Sequence, residues 1–285
     1  MISLAIIIAI IAMIFWGTTD YLAAIATRKI GVFKTFFWQQ IVNTFFLVLF
    51  GFIFFDIPLL SPAIVLLVIL ASLLNISTYA AYYKGLEQGT ISLVSPLANT
   101  WPIVTIFIVI TFFGESITLL QLLGAIIAIV GALLVSIQLK ALLKLHFKVS
   151  GKGILWALYA LFSWAIFFTF WDYMVGQFGW FLPILFFKTG SVVLLLLYSG
   201  TRKISVIPPK HTLSLLVLIG CLDLFGHIAY SFAINTEFSA VIAPFNALVP
   251  LVTVILATFF LKEKVFLHQK IGIAAILGGL ILIAL

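Results

Sequence analysis

The chain has 285 residues, of which 65% are hydrophobic and only 8% are charged. A soluble domain has about 45–50% apolar and about 25% charged residues, so a water-soluble fold is excluded because this chain has too few charges to cover one. The net charge of +7 does not indicate nucleic-acid binding, because the basic residues stand singly or in pairs at the ends of apolar runs. The composition therefore predicts an integral membrane protein in contact with lipid.

Ten apolar runs are long enough to cross a bilayer, since a spanning helix needs about 20 residues for roughly 30 Å of hydrocarbon. In chain order they cover residues 3–26, 33–55, 62–83, 91–112, 118–138, 153–173, 180–199, 212–234, 239–260 and 268–285. The longest connection runs from Leu139 to Lys152, which leaves no room for a soluble domain. The sequence predicts an all-α integral membrane protein with ten transmembrane helices.

An internal duplication appears when the chain is aligned with itself at an offset of 148 residues, without a gap. Several residue types coincide at this offset, including Trp16/Trp164, Gly31/Gly179, Tyr82/Tyr230, Pro96/Pro244, Pro102/Pro250, Glu115/Glu263 and Gln121/Gln269. Chance similarity of apolar runs does not explain matched Trp, Pro and Glu. We interpret residues 1–138 and 153–285 as two five-helix repeats, joined by a basic linker at 139–152.

The two repeats are predicted to lie in opposite orientations, because five is an odd number of crossings. Fourteen of the fifteen Lys and Arg residues lie at connections 1–2, 3–4, 5–6, 7–8 and 9–10, which share one side of the membrane. The positive-inside rule places that side in the cytoplasm and both termini outside. The remaining basic residue is Lys188, inside the seventh run.

Predicted helix 8 carries the richest set of polar residues. Asp223, His227 and Tyr230 share one helix face at i, i+4 and i+7, and the repeat aligns them with Asn75, Tyr79 and Tyr82 on helix 3. We interpret these stripes as the lining of a substrate site between the repeats. A buried carboxylate beside a histidine can exchange a proton near neutral pH, so Asp223 and His227 are the candidates for proton coupling. The alternative is an interhelical hydrogen bond with a structural role.

Other ionisable residues within predicted spans also need a reason, because each costs at least about 2.5–3.5 kcal/mol to insert. Asp20 shares a face of helix 1 with Trp16, a pairing suited to a cationic ligand, and Trp164 is the repeat partner of Trp16. Lys188 is either a substrate contact or the partner of a buried aspartate. Asp172 is expected at the membrane interface, near the end of helix 6.

Prolines and asparagines mark helices 4 and 9. Each proline removes a backbone donor and frees a carbonyl, so we expect these helices to flex as gates and to contribute polar groups to the site. The gating prolines are Pro96, Pro102, Pro244 and Pro250, and the associated amides are Asn99 and Asn246.

Two further repeated features are expected to be structural. Glu115 and Glu263 each precede the last helix of a repeat, where a carboxylate can cap free amides. Gly124, Gly131, Gly272 and Gly279 allow helices 5 and 10 to pack closely against neighbours, with a homodimer partner among the candidates. Cys221 is the only cysteine, so neither a disulfide within the chain nor a cysteine-rich metal site is expected, and no cofactor is indicated.

The repeated segment from Pro96-Leu-Ala-Asn-Thr-Trp-Pro102 through Gly114-Glu115 to Gln121 and Gly131, with the opening Phe15-Trp16-Gly17, resembles the EamA-type halves of the drug/metabolite transporter superfamily. The resemblance implies a ten-helix basket, lined by helices 1, 3, 4, 6, 8 and 9, that works by alternating access. It implies no substrate. Many relatives are drawn with both termini in the cytoplasm, which is opposite to the orientation that the charges indicate.

The expected function is secondary transport of a small polar or amphiphilic metabolite, with export of an amino acid or related compound as the leading reading. Import of a sugar or amine is the alternative. An intramembrane enzyme is less favoured because the histidines, His146, His211, His227 and His268, are scattered. A channel would favour rings of like charge. The expected location is the cytoplasmic membrane of a prokaryote, in which the protein crosses the bilayer several times.

Overall fold

The structure is a computed structural model that describes residues 3–55, 61–88, 98–136, 151–246, 248–249, 251–252, 255–256, 260 and 266–284. Within these residues the chain forms helices and turns and no strand. The helices are α1 (Leu4–Ile30), α2 (Val32–Phe54), α3 (Pro62–Gln88), α4 (Trp101–Phe113), α5 (Leu119–Ser136), α6 (Gly151–Phe178), α7 (Phe181–Arg202), α8 (Leu213–Thr236), α9 (Ser239–Asn246) and α10 (Leu267–Ala284). A short 3₁₀ turn, Lys210–Thr212, precedes α8.

Six of these helices, α1, α2, α3, α6, α7 and α8, are long and apolar enough to cross a bilayer by length and composition. α4 and parts of α5 and α10 are shorter apolar helices, and the described part of α9 has eight residues. The prediction of an all-helical protein with several membrane crossings is confirmed. Ten crossings and the linker 139–152, most of which lies outside the described residues, stay predictions.

Polar and apolar residues are distributed in the opposite way to a soluble protein. Large apolar side chains such as Leu4, Phe107 and Leu155 are exposed, whereas Gln40 and Asn75 are buried. A hydrocarbon environment favours this arrangement, because polar side chains there must find partners within the protein. The exposed apolar surface therefore faces lipid, and the polar residues mark the contacts between helices.

Two glycines make the tight turns at equivalent positions of the repeats. Gly31 separates α1 from α2 with φ of +83°, and Gly179 lies between α6 and α7 with φ of +72°. Backbone in this left-handed region is accessible to glycine without steric cost. The two positions are 148 residues apart, so the duplication seen in the sequence also appears in the backbone.

Helix packing repeats the same two-fold pattern. α1 packs on α8 as α6 packs on α3, and α2 packs on α8 as α7 packs on α3. In the same way, α4 contacts α6 and α9 contacts α1. Three helices of the first repeat also contact their own counterparts in the second: α2 contacts α7, α4 contacts α9, and α5 contacts α10. Most of these contacts join one repeat to the other, so the halves interlock and do not form separate bundles.

The α5 and α10 pair gives the relative direction of the two repeats. An added Cβ on Gly124 would lie 2.7 Å from the carbonyl oxygen of Gly279, and one on Gly131 would lie 2.7 Å from that of Gly272. The residue number rises on one helix as it falls on the other, so the helices run antiparallel. Inverted repeats require this arrangement. The glycines, which were expected to pack against a neighbour or a second protomer, pack against each other within the chain.

Two pairs of connections meet at opposite ends of the described part of α2, in agreement with the charge pattern. On the basic side, the Trp38 indole of α2 donates to the carbonyl of Val206, after α7, at 2.7 Å. At the other end, Phe55 after α2 stacks on Phe181 at the start of α7, with ring centroids 4.1 Å apart. Connections 1–2 and 7–8 thus lie together, as do connections 2–3 and 6–7.

The close approach of α5 and α10 leads to a stability prediction. Gly279→Ala places a methyl group 2.6 Å from the Gly124 carbonyl oxygen, and overpacking of this kind costs about 1–3 kcal/mol. We expect a lower unfolding midpoint in detergent. The matched control is Gly278→Ala, whose Cβ meets nothing within 4 Å and which gains up to about 1 kcal/mol of helix propensity. Equal midpoints for the two variants would contradict the packing.

Candidate functional site

The site is centred on the Asp223 carboxylate, which is buried about halfway along α8. One of its oxygens, Oδ2, accepts a hydrogen bond from Lys188 Nζ of α7 at 2.8 Å. The same oxygen accepts from Asn43 Nδ2 of α2 at 2.6 Å. Lys188 is fully buried, so the ion pair is shielded from solvent. The pair joins α7 and α8 of the second repeat to α2 of the first.

His227 lies one turn beyond Asp223, and its Nδ1 faces both donors and acceptors. This nitrogen is 2.7 Å from the backbone oxygen of Asp223 and 3.4 Å from its Oδ2. The Trp16 indole N–H of α1 donates to the same nitrogen at 3.2 Å. Nδ1 accepts from Trp16 only when it carries no proton, and it donates to Asp223 only when it carries one. The two hydrogen bonds are therefore mutually exclusive.

Aromatic rings enclose the imidazole. Trp171 of α6 stacks on His227 with centroids 5.4 Å apart, and the Phe187 ring of α7 lies at 5.8 Å. Trp16 meets the imidazole edge-on at 5.1 Å. Such rings exclude water and favour a cation through their π faces. A proton arriving at His227 therefore enters a dry aromatic environment with one carboxylate beside it.

The first repeat contains an equivalent arrangement that lacks the charges. Trp164 packs on Tyr82 at 5.0 Å and edge-on against Tyr79 at 6.1 Å. Trp16 packs on Tyr230 at 5.5 Å, and edge-on against His227. The two predicted polar stripes thus each contact the first helix of the opposite repeat.

The polar pairs also correspond across the repeats. Asn75 Nδ2 donates to Ser191 Oγ at 3.0 Å, just as Asn43 donates to Asp223. Asn75 aligns with Asp223 and Ser191 with Asn43, so the same two helix positions meet in both halves. Only the second copy carries the acid, the histidine and the lysine. The same helix contact therefore occurs twice, and only the copy that contains Asp223 has ionisable side chains.

Three further residues predicted for the site lie outside the contacts described so far. Asp20 is exposed one turn beyond Trp16 and lies within electrostatic range of Asp223. Asn246 is buried at the end of α9 and faces Tyr230. Asn99 is half-buried in the turn before α4.

The prolines differ from the expectation of bends within long helices. α4 begins at Trp101, so Pro102 lies in its first turn, where the missing N–H costs no helical hydrogen bond. Pro244 lies inside α9, two residues before that helix ends. Pro96 and Pro250 lie outside the described residues. Gating by these prolines stays a prediction.

Three residues that contribute to the site are not predicted by the sequence, or only weakly. By sequence, Asn43 on predicted helix 2 is a weaker candidate than the polar residues of helices 3 and 8, and neither Trp171 nor Ser191 stands out from its apolar surroundings. The offset of 148 contained a usable signal, because it pairs Asn43 with Ser191 and Asn75 with Asp223. Two polar pairs at repeat-equivalent positions indicate that the same contact between helices is made in both halves. Trp171 has Ala23 as its counterpart, so the repeat gave no indication of it.

Comparison with known proteins places these features in a family. The family model described as "EamA-like transporter family" matches residues 3–137 and again residues 151–285. The chain belongs to the EamA-like transporter family. It is thus a membrane transporter whose two EamA-like halves match the same model, which agrees with the paired packing described above.

Individual relatives agree with this assignment. An uncharacterised transporter of Archaeoglobus fulgidus is 23% identical over 206 residues, covering 72% of this chain and 70% of that protein. An uncharacterised protein of Methanocaldococcus jannaschii is 27% identical over 136 residues, which are 47% of this chain and 97% of that protein. That relative has about the length of one EamA-like half.

A solved crystal structure has the same fold. It superposes with a TM-score of 0.82 at 15% identity, and the match covers 99% of this chain and 97% of the other. At this level of identity the likeness extends to the arrangement of helices and not to the chemistry of the site.

The buried ion pair gives a stability prediction. Lys188→Met leaves Asp223 buried without its cation, which costs about 3–5 kcal/mol in buried pairs. We expect a large drop in the unfolding midpoint, partly restored in the Lys188→Met/Asp223→Asn double variant. Gln40→Met is the matched control at the repeat-equivalent position, where the amide atoms have no partner among the described residues. A midpoint in Lys188→Met equal to that of Gln40→Met would show that the ion pair adds no stability.

Proposed function

We propose that this EamA-like transporter is a proton-coupled secondary carrier that moves a small amphiphilic metabolite by alternating access, with Asp223 and His227 as the proton-binding pair. The observation that carries the proposal is the shared Nδ1 of His227, which faces Trp16 of the first repeat and Asp223 of the second. Secondary carriers place their sites near the bilayer midplane, between inverted repeats. Asp223, halfway along α8, fits such a position.

The coupling step follows from the two exclusive hydrogen bonds. With Nδ1 unprotonated, His227 accepts from Trp16 and holds α1 against α8. A proton on Nδ1 redirects the imidazole toward Asp223, and the Trp16 indole loses its acceptor. Since α1 and α8 belong to opposite repeats, proton binding weakens one contact between the halves. A proton can shift the equilibrium only by such a difference between states.

The substrate class is argued from the groups around Trp16. Asp20 supplies a carboxylate and Trp16 a ring whose π face attracts a cation, and together they suit an ammonium group. An amino acid or related amphiphile presents that group with an apolar side chain, and the aromatic residues Trp164, Tyr79, Tyr82 and Tyr230 suit the latter. We propose export as the direction. An amine without a carboxylate is the second candidate, because Asp20 and Trp16 alone satisfy it.

The cellular setting is proposed from charge and from the relatives. Ten crossings, with halves at 1–138 and 153–285 joined by the basic linker at 139–152, account for the basic residues at alternate connections. The two relatives described above are archaeal, which supports a prokaryotic cytoplasmic membrane. The basic connections are then cytoplasmic.

Transport by purified protein in proteoliposomes tests the coupling. Ligands are first sought by thermal shift with amino acids, amines, sugars and nucleosides, because a ligand of the folded state raises its apparent stability. With a compound that binds, we expect a pH gradient to drive uptake by the wild-type chain. His227→Gln has no titratable group there and should lose the stimulation by the gradient, while exchange of labelled for unlabelled compound persists.

Cys221→Ser is the control for substitution on the same helix, since Cys221 is a free, half-buried cysteine that takes part in none of the hydrogen bonds or ring contacts described for the site. It should respond to the gradient as the wild type does. Gradient-driven uptake by His227→Gln equal to that of the wild type would remove His227 from the coupling step.

Labelling of single cysteines tests the orientation. In a Cys221→Ser background, Lys203→Cys after α7 and Asn235→Cys near the end of α8 are both exposed and lie at opposite ends of α8. With basic connections in the cytoplasm, a membrane-impermeant maleimide added to intact cells should label Asn235→Cys and spare Lys203→Cys. The reverse pattern would place both termini in the cytoplasm.

A further inference from the structure

A second group of carboxyl side chains lies at the end of the fold where α4, α6 and α8 terminate. Glu115 follows α4 and accepts hydrogen bonds from the backbone amides of Ser239 at 3.3 Å and Ala240 at 2.8 Å. These amides are the free donors at the start of α9. Glu115 belongs to the first repeat and α9 to the second, so this contact joins the halves at one end. The position of Glu115 in the sequence predicts a cap for α5, but Thr118 and Gln121 cap that helix.

Glu115 also meets a second carboxyl group. Its carboxyl group lies close enough to the carboxyl group of Asp172, in the last two turns of α6, for a hydrogen bond between them. Two carboxyl groups form such a bond only when one of them carries a proton. Burial is the largest effect on Glu115 and raises its pKa; the amides of Ala240 and Ser239 offset it only in part. The environment therefore favours retention of a proton.

The Ser239 side chain indicates a second arrangement of the same groups. Its hydroxyl is buried and faces Asp172, yet the oxygen has no hydrogen-bond partner of suitable geometry among the described residues. While Asp172 shares a proton with Glu115, the Ser239 hydroxyl has no hydrogen-bond acceptor. An ionised Asp172 is the acceptor that it lacks. The orphaned hydroxyl thus fits the state in which the shared proton has left.

We propose that Glu115 and Asp172 form a proton-binding clasp, separate from the Asp223 site, that holds the end of α4 in the first repeat against α6 in the second while one proton is bound and releases it when the proton leaves. The other groups that face the pair are Glu237 between α8 and α9, Tyr230 on α8, and Ser239. Loss of the proton leaves two carboxylates side by side, with Glu237 adding to their repulsion. Among the described residues no group of three His, Cys, Asp or Glu side chains is arranged to hold a metal ion.

The sign of the pH effect follows from the raised pKa of Glu115. A carboxyl group whose pKa is raised in the closed state favours that state at low pH, and the advantage is lost as the pH rises through the raised value. The clasp therefore closes in acid and opens in alkali. Its closed state needs no substrate, so it can be followed without transport.

Spin labels at two exposed positions beside the clasp measure its opening. In a Cys221→Ser background, Ser116→Cys after α4 and Gln177→Cys near the end of α6 report the distance between the two repeats at this end. In lipid nanodiscs we expect the wild-type clasp to shift from a short to a long distance as the pH rises. Glu115→Gln and Asp172→Asn each place an amide N–H where the proton was, so both should keep the short distance at every pH.

Control variants distinguish the clasp from a general effect of charge. Glu237→Gln removes a nearby charge outside the pair and should still show the pH-dependent shift. Glu115→Ala cannot bridge the halves and should give the long distance throughout. A wild-type distance independent of pH, or a normal shift in Asp172→Asn, overturns the proposal. A change in the distance between the labels that is driven by sodium ions at constant pH would show that the clasp binds a metal cation and not a proton. None of these readings depends on His227.

Discussion

The buried Asp223 carboxylate is the constraint on which the rest of the central arrangement depends. A charge at this depth in an apolar bundle is tolerated only with partners, and Lys188 and Asn43 both reach the same oxygen. These partners come from α7 and α2, the two helices that pair across the repeat axis. The charge thereby fixes how α8 sits on α2 and α7. His227 lies one turn further along α8 and is therefore also held in place relative to Trp16.

Duplication explains why this centre could arise at a contact between halves. The fold meets itself at corresponding positions, so each contact exists twice and only one copy has to carry chemistry. Tyr79 in place of His227, and Gln40 in place of Lys188, leave the first copy without charge. At the position equivalent to Asp20 the difference is reversed: the first repeat has the charged residue, and the second has Phe168. The Phe168 ring stacks on Trp101 with centroids 4.0 Å apart. Polar and aromatic roles are thus divided between two copies of one scaffold.

The sequence predicted the features that depend on local pattern and on the repeat. Inversion, the shared face of Asp223 and His227, and the close glycines of α5 and α10 follow from spacing alone. Partner choice does not follow, because Lys188 had Asp20, Asp172 and Asp223 as candidates and only the packing of α7 on α8 selects one. Glu115 was assigned to the nearest helix in sequence, whereas the amides of α9 lie across the repeat interface. Pro102 was placed within a helix whose described part begins one residue before it.

The central site and the end clasp are connected through Tyr230. Its ring packs against Trp16 and Trp171, which also contact His227. Its buried hydroxyl end faces Asn246 and lies within electrostatic range of Asp172 and Glu115. A carboxylate formed at the clasp therefore acts on a side chain that is packed against the histidine's own aromatic neighbours. In the mechanism proposed above, two proton-binding places joined by one rigid ring would each bias the same pair of halves from a different depth, as coupling between two sites requires.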